Sequence, residues 1–291
     1  LLANFVIVPA ISYGSQLAIA ALGITIVYAV LRFSNFAHGD LMSFGTMTAI
    51  LFTWLFQNLG ITGGVLPTAL IALPFAIVVT ALLCLLIDKS VYRFYRKQKS
   101  HPVVFMIVSV GVMFILNATV RFIIGPNDIT FFDGEKFLVK ALDFKASTGL
   151  AEGLTIKSTQ LITVIVAIIT MLLLFYFLQK TKIGKAMRAY SNNEDLALLS
   201  GINPDRVVMI TWMIVGTLAT IAGVLYGLDK SFKPFTYFQL LLPMFAAAII
   251  GGIGNPIGAV IGGYIVAFSE IMLTYAYKKF FIYLLPEHLE P

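Results

Sequence analysis

One carboxylate lies within the last long apolar run of this sequence. Glu270 is the one charged residue between Ile257 and Tyr277. A charge at the centre of a membrane segment costs about 2.5–3.5 kcal/mol on insertion scales, so such a group must be protonated, paired or in contact with water. Glu270 is therefore a candidate residue of a translocation path, and pairing with a neighbouring helix is the structural alternative. Asn117, in an earlier apolar run, is expected to bond to a neighbouring helix.

A second polar group follows the first apolar run, in the sequence Asn-Phe-Ala-His-Gly-Asp at residues 35–40. If this stretch is helical, Asn35 and His38 share one face because they are three residues apart. On the wall of a translocation path, these side chains, with Gly39 beside them, could contact the charged ends of a zwitterion. The structural alternative is a helix start capped by Asn35, with His38 bonded to a backbone carbonyl.

The residue patterns of catalytic and nucleotide-binding sites do not occur in this sequence. Gly184-Lys185 lacks the upstream glycine and the following Ser or Thr of a phosphate-binding loop, so its backbone cannot cradle ATP. The three histidines and the one cysteine, Cys84, show no zinc-ligand spacing, and no nucleophile elbow or pair of catalytic carboxylates is present. We therefore expect neither enzyme activity nor a metal or cofactor in this chain.

The polar loop of residues 180–206 contains the start and stop signals of a short helix. Ser191 and Glu194 have the spacing of a capping box, in which the serine hydroxyl accepts the Glu194 amide and the carboxylate accepts the serine amide. Gly201 supplies a left-handed residue at the C-terminus, and Asn203-Pro204 caps and opens the next helix. These signals predict about two helical turns.

The predicted short helix carries Leu196 and Leu199. Leucines presented by a rigid helix fit a groove on another protein. The alternative is an ordinary interfacial helix that lies on lipid, and the residues alone leave both interpretations open.

All of these residues must be positioned by membrane-spanning elements. Of the 291 residues, 59% are hydrophobic and 12% are charged, whereas a soluble domain has about 45–50% and 25%. Runs of about 20 residues that are apolar on every face are long enough to cross a hydrocarbon core. The pattern predicts an all-α, polytopic transmembrane helix bundle with a single domain over residues 1–291. About eight segments are expected: Phe5–Leu31, Leu41–Phe56, Val65–Ile87, Val103–Ile124, Leu161–Leu178, Val207–Leu228, Leu240–Ile253 and Ile257–Tyr277.

The distribution of Lys and Arg predicts the orientation of the bundle, because short basic loops stay in the cytoplasm. The loops at 88–101 and about 180–206 are rich in basic residues and are expected inside. Residues 125–160 have no basic surplus and are expected outside, together with the N-terminus. The net charge of +6 fits the inner face of a membrane protein better than nucleic-acid binding.

Small residues near the end of the chain predict close contacts between helices, because helices in lipid associate by van der Waals fit. Asn255-Pro256 is expected to interrupt this region as a turn or as a discontinuous pair of helices, and broken helices line cavities. The residues assigned to helix packing or to the break are Gly251, Gly252, Gly254, Pro256 and Gly258.

Three motifs in the right order resemble those of a known family. Asp195-Leu196-Ala197, followed by Gly201 and Ile202, is similar to the Glu-Ala-Ala and Gly coupling motif of permeases in ATP-binding cassette (ABC) importers. Residues 35–40 and the sequence Gly-Gly-Ile-Gly-Asn-Pro-Ile-Gly-Ala at 251–259 look like two signatures of the branched-chain amino acid permease family. The resemblance covers nearly the whole chain.

This resemblance implies a set of partners. In that family, the permease pairs with a second, related permease and with two cytoplasmic ATPases that bind ATP and Mg, and a periplasmic binding protein delivers the substrate. The implied location is the lipid bilayer of a bacterial inner membrane, with no nucleic-acid partner. By the same similarity, the residues that couple to the ATPase are Arg188, Glu194, Asp195, Leu196, Ala197, Leu199, Gly201 and Ile202.

The end of the chain departs from the family pattern. The family usually ends with another apolar helix and a Pro-Thr-Gly tail, neither of which follows Pro286. We interpret the difference as a truncation and expect one further helix beyond this end.

The favoured function is thus that of the membrane-spanning permease subunit of an ATP-driven importer for branched-chain amino acids. The resemblance extends to permeases for urea or short amides, and no residue decides between these substrates. An ion-coupled secondary transporter would need intramembrane carboxylates, of which Glu270 is nearly the only one. A membrane scaffold would need no docking helix.

Overall fold

The long apolar runs of the sequence form helices. The computed structural model describes residues 3–64, 66–134, 136–139 and 155–284. Its α-helices are α1 Val8–Leu31, α2 His38–Asn58, α3 Thr68–Ile87, α4 Arg93–Lys97, α5 Pro102–Ile124, α6 Ser158–Lys180, α7 Lys182–Asn192, α8 Glu194–Leu199, α9 Pro204–Lys230, α10 Pro234–Gln239, α11 Leu241–Ile250 and α12 Pro256–Leu284. π-helical turns at Ala3–Ile7 and Asp88–Tyr92 precede α1 and α4. The strands β1 Phe137–Val139 and β2 Ile156–Lys157 pair antiparallel.

Seven helices in the described residues are long and apolar enough to cross a membrane. They are Ala3–Leu31, His38–Asn58, Thr68–Lys97, Pro102–Ile124, Ser158–Lys180, Pro204–Lys230 and Pro256–Tyr277. The predicted all-α, polytopic fold is confirmed, and the chain is a multi-pass membrane protein. The predicted position Val65, residues 140–154 of the predicted external loop and the chain beyond residue 284 lie outside the described residues.

The remaining predicted segment, Leu240–Ile253, is shorter and less regular than the others. The apolar helix in this region covers Pro234–Ile250 and is interrupted at Leu240, where α10 ends and α11 begins. Pro243 explains the interruption, because it has no N–H to donate to the carbonyl of Gln239 and its ring crowds that carbonyl. The run that is apolar in sequence is therefore two short helices in the structure.

Contacts between loops define two ends of the bundle. At the first, here called the basic end, Arg93 pairs with Asp205 at 3.6 Å, and the Arg32 guanidinium donates to the carbonyl of Ser191. At the second, the distal end, Lys233 follows α9 and pairs with Asp128 at 3.7 Å. The loops that are predicted to be cytoplasmic thus meet at one end of the bundle.

Asp133 joins the distal ends of α2 and α3. Its carboxylate accepts hydrogen bonds from the Gln57 amide at 2.9 Å and from the Thr68 backbone amide at 2.8 Å. Burial by itself raises the pKa of a carboxyl, but the hydrogen bonds from Thr68 and Gln57 outweigh it and lower the pKa of Asp133 below its usual value.

The extent of burial separates central from peripheral helices. In the apolar windows of α1, α2 and α9, 83%, 67% and 72% of residues are buried, whereas the windows of the other long spans are at most 28% buried. The helices α1, α2 and α9 therefore form the centre of the subunit. The helices α3, α5, α6 and α12 present apolar side chains outward, as contact with lipid or with another membrane subunit requires.

Glycines bring α12 within backbone distance of α11 and α1. A Cβ atom placed on Gly258 would lie 1.7 Å from the carbonyl oxygen of Gly251, and one on Gly263 would lie 2.7 Å from the backbone nitrogen of Ala18. Real side chains do not fit at such distances. Glycine therefore permits the close packing that holds the last long helix against the centre of the bundle.

Candidate functional site

The chain between α1 and α2 is not helical at Asn35. The helix α2 begins at His38, so Asn35 and His38 do not share a helix face, and that prediction is wrong. Asn35 Oδ1 accepts hydrogen bonds from the Ala37 amide at 3.1 Å and from the Tyr92 hydroxyl at 3.4 Å. The amide side chain stabilises the turn into α2 and ties it to the basic end of α3.

His38 and Gly39 are buried in the contact between α2 and its neighbours. The imidazole packs on Gly23 of α1, where a Cβ atom would lie 2.4 Å from Cε1, and it lies beside the backbone of Ala20. Within the described residues, neither ring nitrogen has a hydrogen-bond partner of normal geometry. A Cβ atom on Gly39 would lie 2.6 Å from the carbonyl oxygen of Tyr237, so α10 packs directly on α2.

Asp40 adds a carboxylate next to these residues. Its side chain is buried and accepts a hydrogen bond from Asn117 of α5 at 2.8 Å, so the predicted contact of Asn117 with a neighbouring helix is confirmed. Asp40 Oδ2 has no hydrogen-bond partner among the described residues. The sequence analysis did not select Asp40 as a site residue because the predicted apolar segment begins at Leu41, directly after this carboxylate.

Glu270 belongs to a polar cluster between α1, α9 and α12. The Lys230 ammonium lies 4.7 Å from the ring centroid of Tyr13 and 5.4 Å from that of Tyr226, which is the geometry of cation–π contacts. Glu270 lies close enough to both Tyr13 and Tyr226 for an electrostatic interaction. We call these four residues the Lys230–Glu270 cluster.

The short helix of the basic end, α8, begins at Glu194, two residues later than the predicted cap at Ser191 implies. Ser191 lies inside α7, so it does not form a capping box with Glu194, and that prediction is wrong. Asn193 caps α8 instead, because its Oδ1 accepts the Leu196 amide at 3.0 Å. Asn203 Oδ1 likewise accepts the Arg206 amide at 3.3 Å and caps α9, as predicted.

A Schellman motif ends α8. The Ile202 amide donates to the Ala197 carbonyl at 3.1 Å, and the Gly201 amide donates to the Leu198 carbonyl at 3.0 Å. Gly201 has the left-handed φ of 80° that this motif needs. With a capped start and a closed end, α8 is a rigid unit of six residues.

The two faces of α8 differ in burial. Ala197 is 3% exposed and packs inward, whereas Leu196 and Leu199 are 60% and 84% exposed. Glu194, Asp195 and Arg188 are also exposed. Leu198 is also exposed, so α8 presents three leucines together with acidic side chains at the basic end of the bundle.

The hydroxyl and carbonyl of Ser191 link α7 to α1. Ser191 Oγ donates to the Ala29 carbonyl at 2.8 Å, and the Ser191 carbonyl accepts from Arg32. Close by, Tyr190 donates to Glu194 Oε1 at 2.7 Å and so joins α7 to α8. Burial and this bond to the carboxylate of Glu194 raise the pKa of Tyr190.

The break between α11 and α12 lies next to the same region. Gly252 and Gly254 both have φ of 88°, and Asn255 Oδ1 accepts the amide of Ile257 at 3.2 Å as α12 begins. A cavity of about 340 Å³ lies between this turn, α7 and α1. Its lining includes Val30, Arg188, Ser191, Gly254 and Pro256.

Comparison with known proteins identifies the family. The family of permease components of branched-chain amino acid transport systems matches residues 6–285 of this chain. The chain belongs to this family. The high-affinity branched-chain amino acid permease LivH of Escherichia coli K12 is 31% identical to it over 268 residues, which cover 90% of this chain and 83% of LivH. No solved structure gives a significant match.

Two further relatives show a similar level of identity. A probable LivH permease of Methanocaldococcus jannaschii is 29% identical and covers 91% of this chain and 79% of its own length. The BraD permease of Pseudomonas aeruginosa is 28% identical, with 91% and 84% covered. The chain is thus a transport component of a membrane, in agreement with the resemblance seen in its motifs.

The predicted site residues lie in separate regions of the permease. The residues assigned to coupling lie together on α7, α8 and the turn after it, and Gly254 and Pro256 of the break line the same cavity as Arg188. Of the residues assigned to a translocation path, His38 and Gly39 adjoin α1 and α10, whereas Glu270 joins Tyr13 and Lys230. Sequence reasoning missed Tyr13, Tyr226 and Lys230, because aromatic and basic residues near span ends are typical membrane-interface anchors.

Proposed function

We propose that this chain is the membrane-spanning permease subunit of an ATP-driven importer for branched-chain amino acids in a bacterial inner membrane. The observation that carries the proposal is the family match over residues 6–285, together with relatives described as permeases of branched-chain amino acid transport systems. ATP and Mg would be bound by two cytoplasmic ATPase subunits. A second, related permease and a periplasmic binding protein would complete the complex.

The helix α8 would be the docking element for an ATPase. Its exposed leucines are suited to an apolar groove, and the caps at Asn193 and Gly201 stabilise the short helix. The exposed acids Glu194 and Asp195 lie in the first turn of α8, where they complement the helix dipole and are available to basic groups of a partner.

Movement of α8 would reach the membrane through two routes. One runs through Tyr190 and Ser191 into the end of α1, where Ala29 and Arg32 are bonded to Ser191. The other passes across the cavity beside Arg188 to the turn that begins α12. The apolar window of α1 has the largest buried share of the long spans, so α1 contacts many neighbours. A displacement at its basic end would therefore be transmitted to several other helices.

The experiment that tests this function is transport by the reconstituted complex. The permease is co-purified with its partner permease and ATPases, placed in liposomes, and supplied with binding protein and radiolabelled leucine. We expect leucine uptake that requires ATP and every partner.

Two results contradict the proposal. Uptake of leucine by the permease alone, without ATP, would indicate an ion-coupled transporter or a channel. A complete complex that imports urea or a short amide but not leucine would place the chain with a different substrate class.

A further inference from the structure

Lys230 and Glu270 place opposite charges around the same two aromatic rings. Lys230 ends α9 and lies over the rings of Tyr13 and Tyr226, while Glu270 reaches the same tyrosines from α12. Among the described residues, neither charge forms an ion pair within 4.0 Å. The cluster therefore holds an ammonium and a carboxylate near each other without neutralising either.

The position of Glu270 requires something other than lipid at this face. Glu270 is exposed on the subunit surface and lies within the membrane span Pro256–Tyr277. An unpaired charge in hydrocarbon is unfavourable, so charged residues in spans face water-filled cavities or polar partners. The exposed side of the Lys230–Glu270 cluster is thus expected to border an aqueous space or a polar partner.

Near this cluster, α1 carries buried polar atoms that have no hydrogen-bond partner among the described residues. Ser12 Oγ and Gln16 Oε1 are buried on one face of α1, and neither has a hydrogen-bond partner among the described residues. The same face carries Gly23, on which the imidazole of His38 packs. A buried polar atom without a partner is unfavourable, so this face of α1 is suited to water or to a polar ligand.

We infer that the Lys230–Glu270 cluster is a substrate-contacting site on the translocation path, in which Lys230 binds the carboxylate and Glu270 binds the ammonium of an amino acid. Tyr13 and Tyr226 are each only 5% exposed, so they position the two charged groups from inside the subunit. Leu273, one turn beyond Glu270 and 69% exposed, provides an apolar surface for an aliphatic side chain.

This inference rests on the proposed import function and specifies its substrate class. A zwitterion satisfies both charges of the cluster at once, because each end forms a charge-assisted hydrogen bond. Urea and short amides are neutral and would leave the ammonium and the carboxylate uncompensated. The cluster therefore favours an amino acid over these smaller substrates.

The test compares Glu270→Gln and Lys230→Gln in the complete importer in proteoliposomes. For each variant, the maximum rate of leucine uptake and the ATP hydrolysis stimulated by the leucine-loaded binding protein are measured together. We expect uptake to fall at least about tenfold, because each variant removes a charge-assisted hydrogen bond to the substrate. ATP hydrolysis should stay within about twofold of the wild type, so that fewer leucine molecules move per ATP.

Matched controls are available in the ion pair of Lys233 with Asp128 at the distal end. Lys233→Gln and Asp128→Asn make the same changes of charge near the membrane surface, but outside the Lys230–Glu270 cluster, and uptake should stay within about twofold of the wild type. Tyr13→Phe keeps the ring and removes the hydroxyl, and should give a smaller loss of uptake than Glu270→Gln.

Three outcomes overturn the inference while leaving the import function in place. One is wild-type uptake by both charge variants. Another is a parallel loss of uptake, ATP hydrolysis and assembled complex, which indicates a structural role. The third is an equal loss in the control variants. If the wild-type complex itself does not import leucine, the proposed function fails instead.

Discussion

The helix α8 and the Lys230–Glu270 cluster are built in different ways. The parts that define α8 are neighbours in the sequence, since its cap at Asn193 and its left-handed Gly201 lie within nine residues. The cluster takes Tyr13, Tyr226 and Glu270 from three helices that are far apart in the chain. The first region is stable through its own backbone hydrogen bonds, and the second exists only when α1, α9 and α12 pack correctly.

This difference predicts how each region responds to change. A substitution in α8 acts on a solvent-exposed, locally stabilised helix and should affect communication with partners more than the fold. A substitution at the contacts of α12 should disturb the whole bundle, because glycine-mediated backbone contacts there have no room to adjust. Variants in the two regions should therefore differ in whether they change transport or stability.

The largest effect is expected from Gly258→Ala. The added Cβ would lie 1.7 Å from the carbonyl oxygen of Gly251, so α11 and α12 must move apart. We expect a loss of at least about 3 kcal/mol in the free energy of unfolding, or failure to accumulate in the membrane. The measurement is thermal unfolding of the detergent-purified complex.

The control for this variant is Gly111→Ala in α5. A Cβ atom at Gly111 meets nothing within 4 Å, so stability should be unchanged or rise slightly because alanine favours a helix. Equal stability of the Gly258 and Gly111 variants would refute the role of the backbone contact.

The next effect is expected from the double variant Asp195→Ala and Gly201→Ala. It removes an exposed acid and the left-handed residue of the Schellman motif. We expect ATP-dependent leucine uptake to fall at least about tenfold, with a change in stability of only about 1–2 kcal/mol. Reconstituted uptake and thermal unfolding are measured on the same preparations.

Gly60→Ala provides the matched control, because Gly60 has a similar φ of 75° near the distal ends of α2 and α3. It should introduce comparable backbone strain and leave uptake per ATP unaltered. If ATP-dependent uptake by the Asp195 and Gly201 variant is also unaltered, α8 is not the coupling element.

A smaller effect is expected from Ser191→Ala, which removes the hydrogen bond from α7 to the Ala29 carbonyl. The free energy of unfolding should fall by about 1 kcal/mol, and uptake per ATP should fall about two- to fivefold because α1 is no longer tied to α7. Ser200→Ala is the control, since that hydroxyl bonds to Leu196 at the end of α8 itself. A larger effect of the Ser200 variant on uptake would contradict transmission through Ser191.

The smallest effect concerns pH and the carboxylate of Asp133. Because hydrogen bonds lower its pKa in the folded state, its stabilising contribution is present above the unfolded pKa of about 3.9 and is lost as the pH falls through the folded value. Asp133→Asn should therefore reduce stability by about 1 kcal/mol or less at pH 7, and the difference between the two proteins should shrink as the pH falls below about 3.9. Thermal unfolding of both proteins across this pH range checks the sign, and a difference that grows at low pH would contradict it.

The sequence predicts most of the secondary structure because membrane spans need little information beyond length and apolarity. Helices occupy the predicted regions of Phe5–Leu31, Val103–Ile124 and Leu161–Leu178. The errors occur where local signals compete. Ser191 is a good cap by residue type, but α7 continues through it and its hydroxyl bonds to Ala29, so Asn193 takes the capping role. Similarly, hydrophobicity alone predicts one segment at Leu240–Ile253, whereas Pro243 interrupts the helix in this region and leaves two short helices, α10 and α11.

The sequence by itself determined that this protein crosses a membrane many times, and its motifs indicated the family of permeases to which it belongs. Apolar length and short capping signals act within a few residues, so both can be read along the chain. Only the tertiary structure decided that Glu270 lies with Tyr13 and Lys230, that His38 packs on Gly23, and that α8 is tied to α1. These contacts depend on which helices pack together, and helices that are apolar on all sides do not specify their neighbours by periodicity.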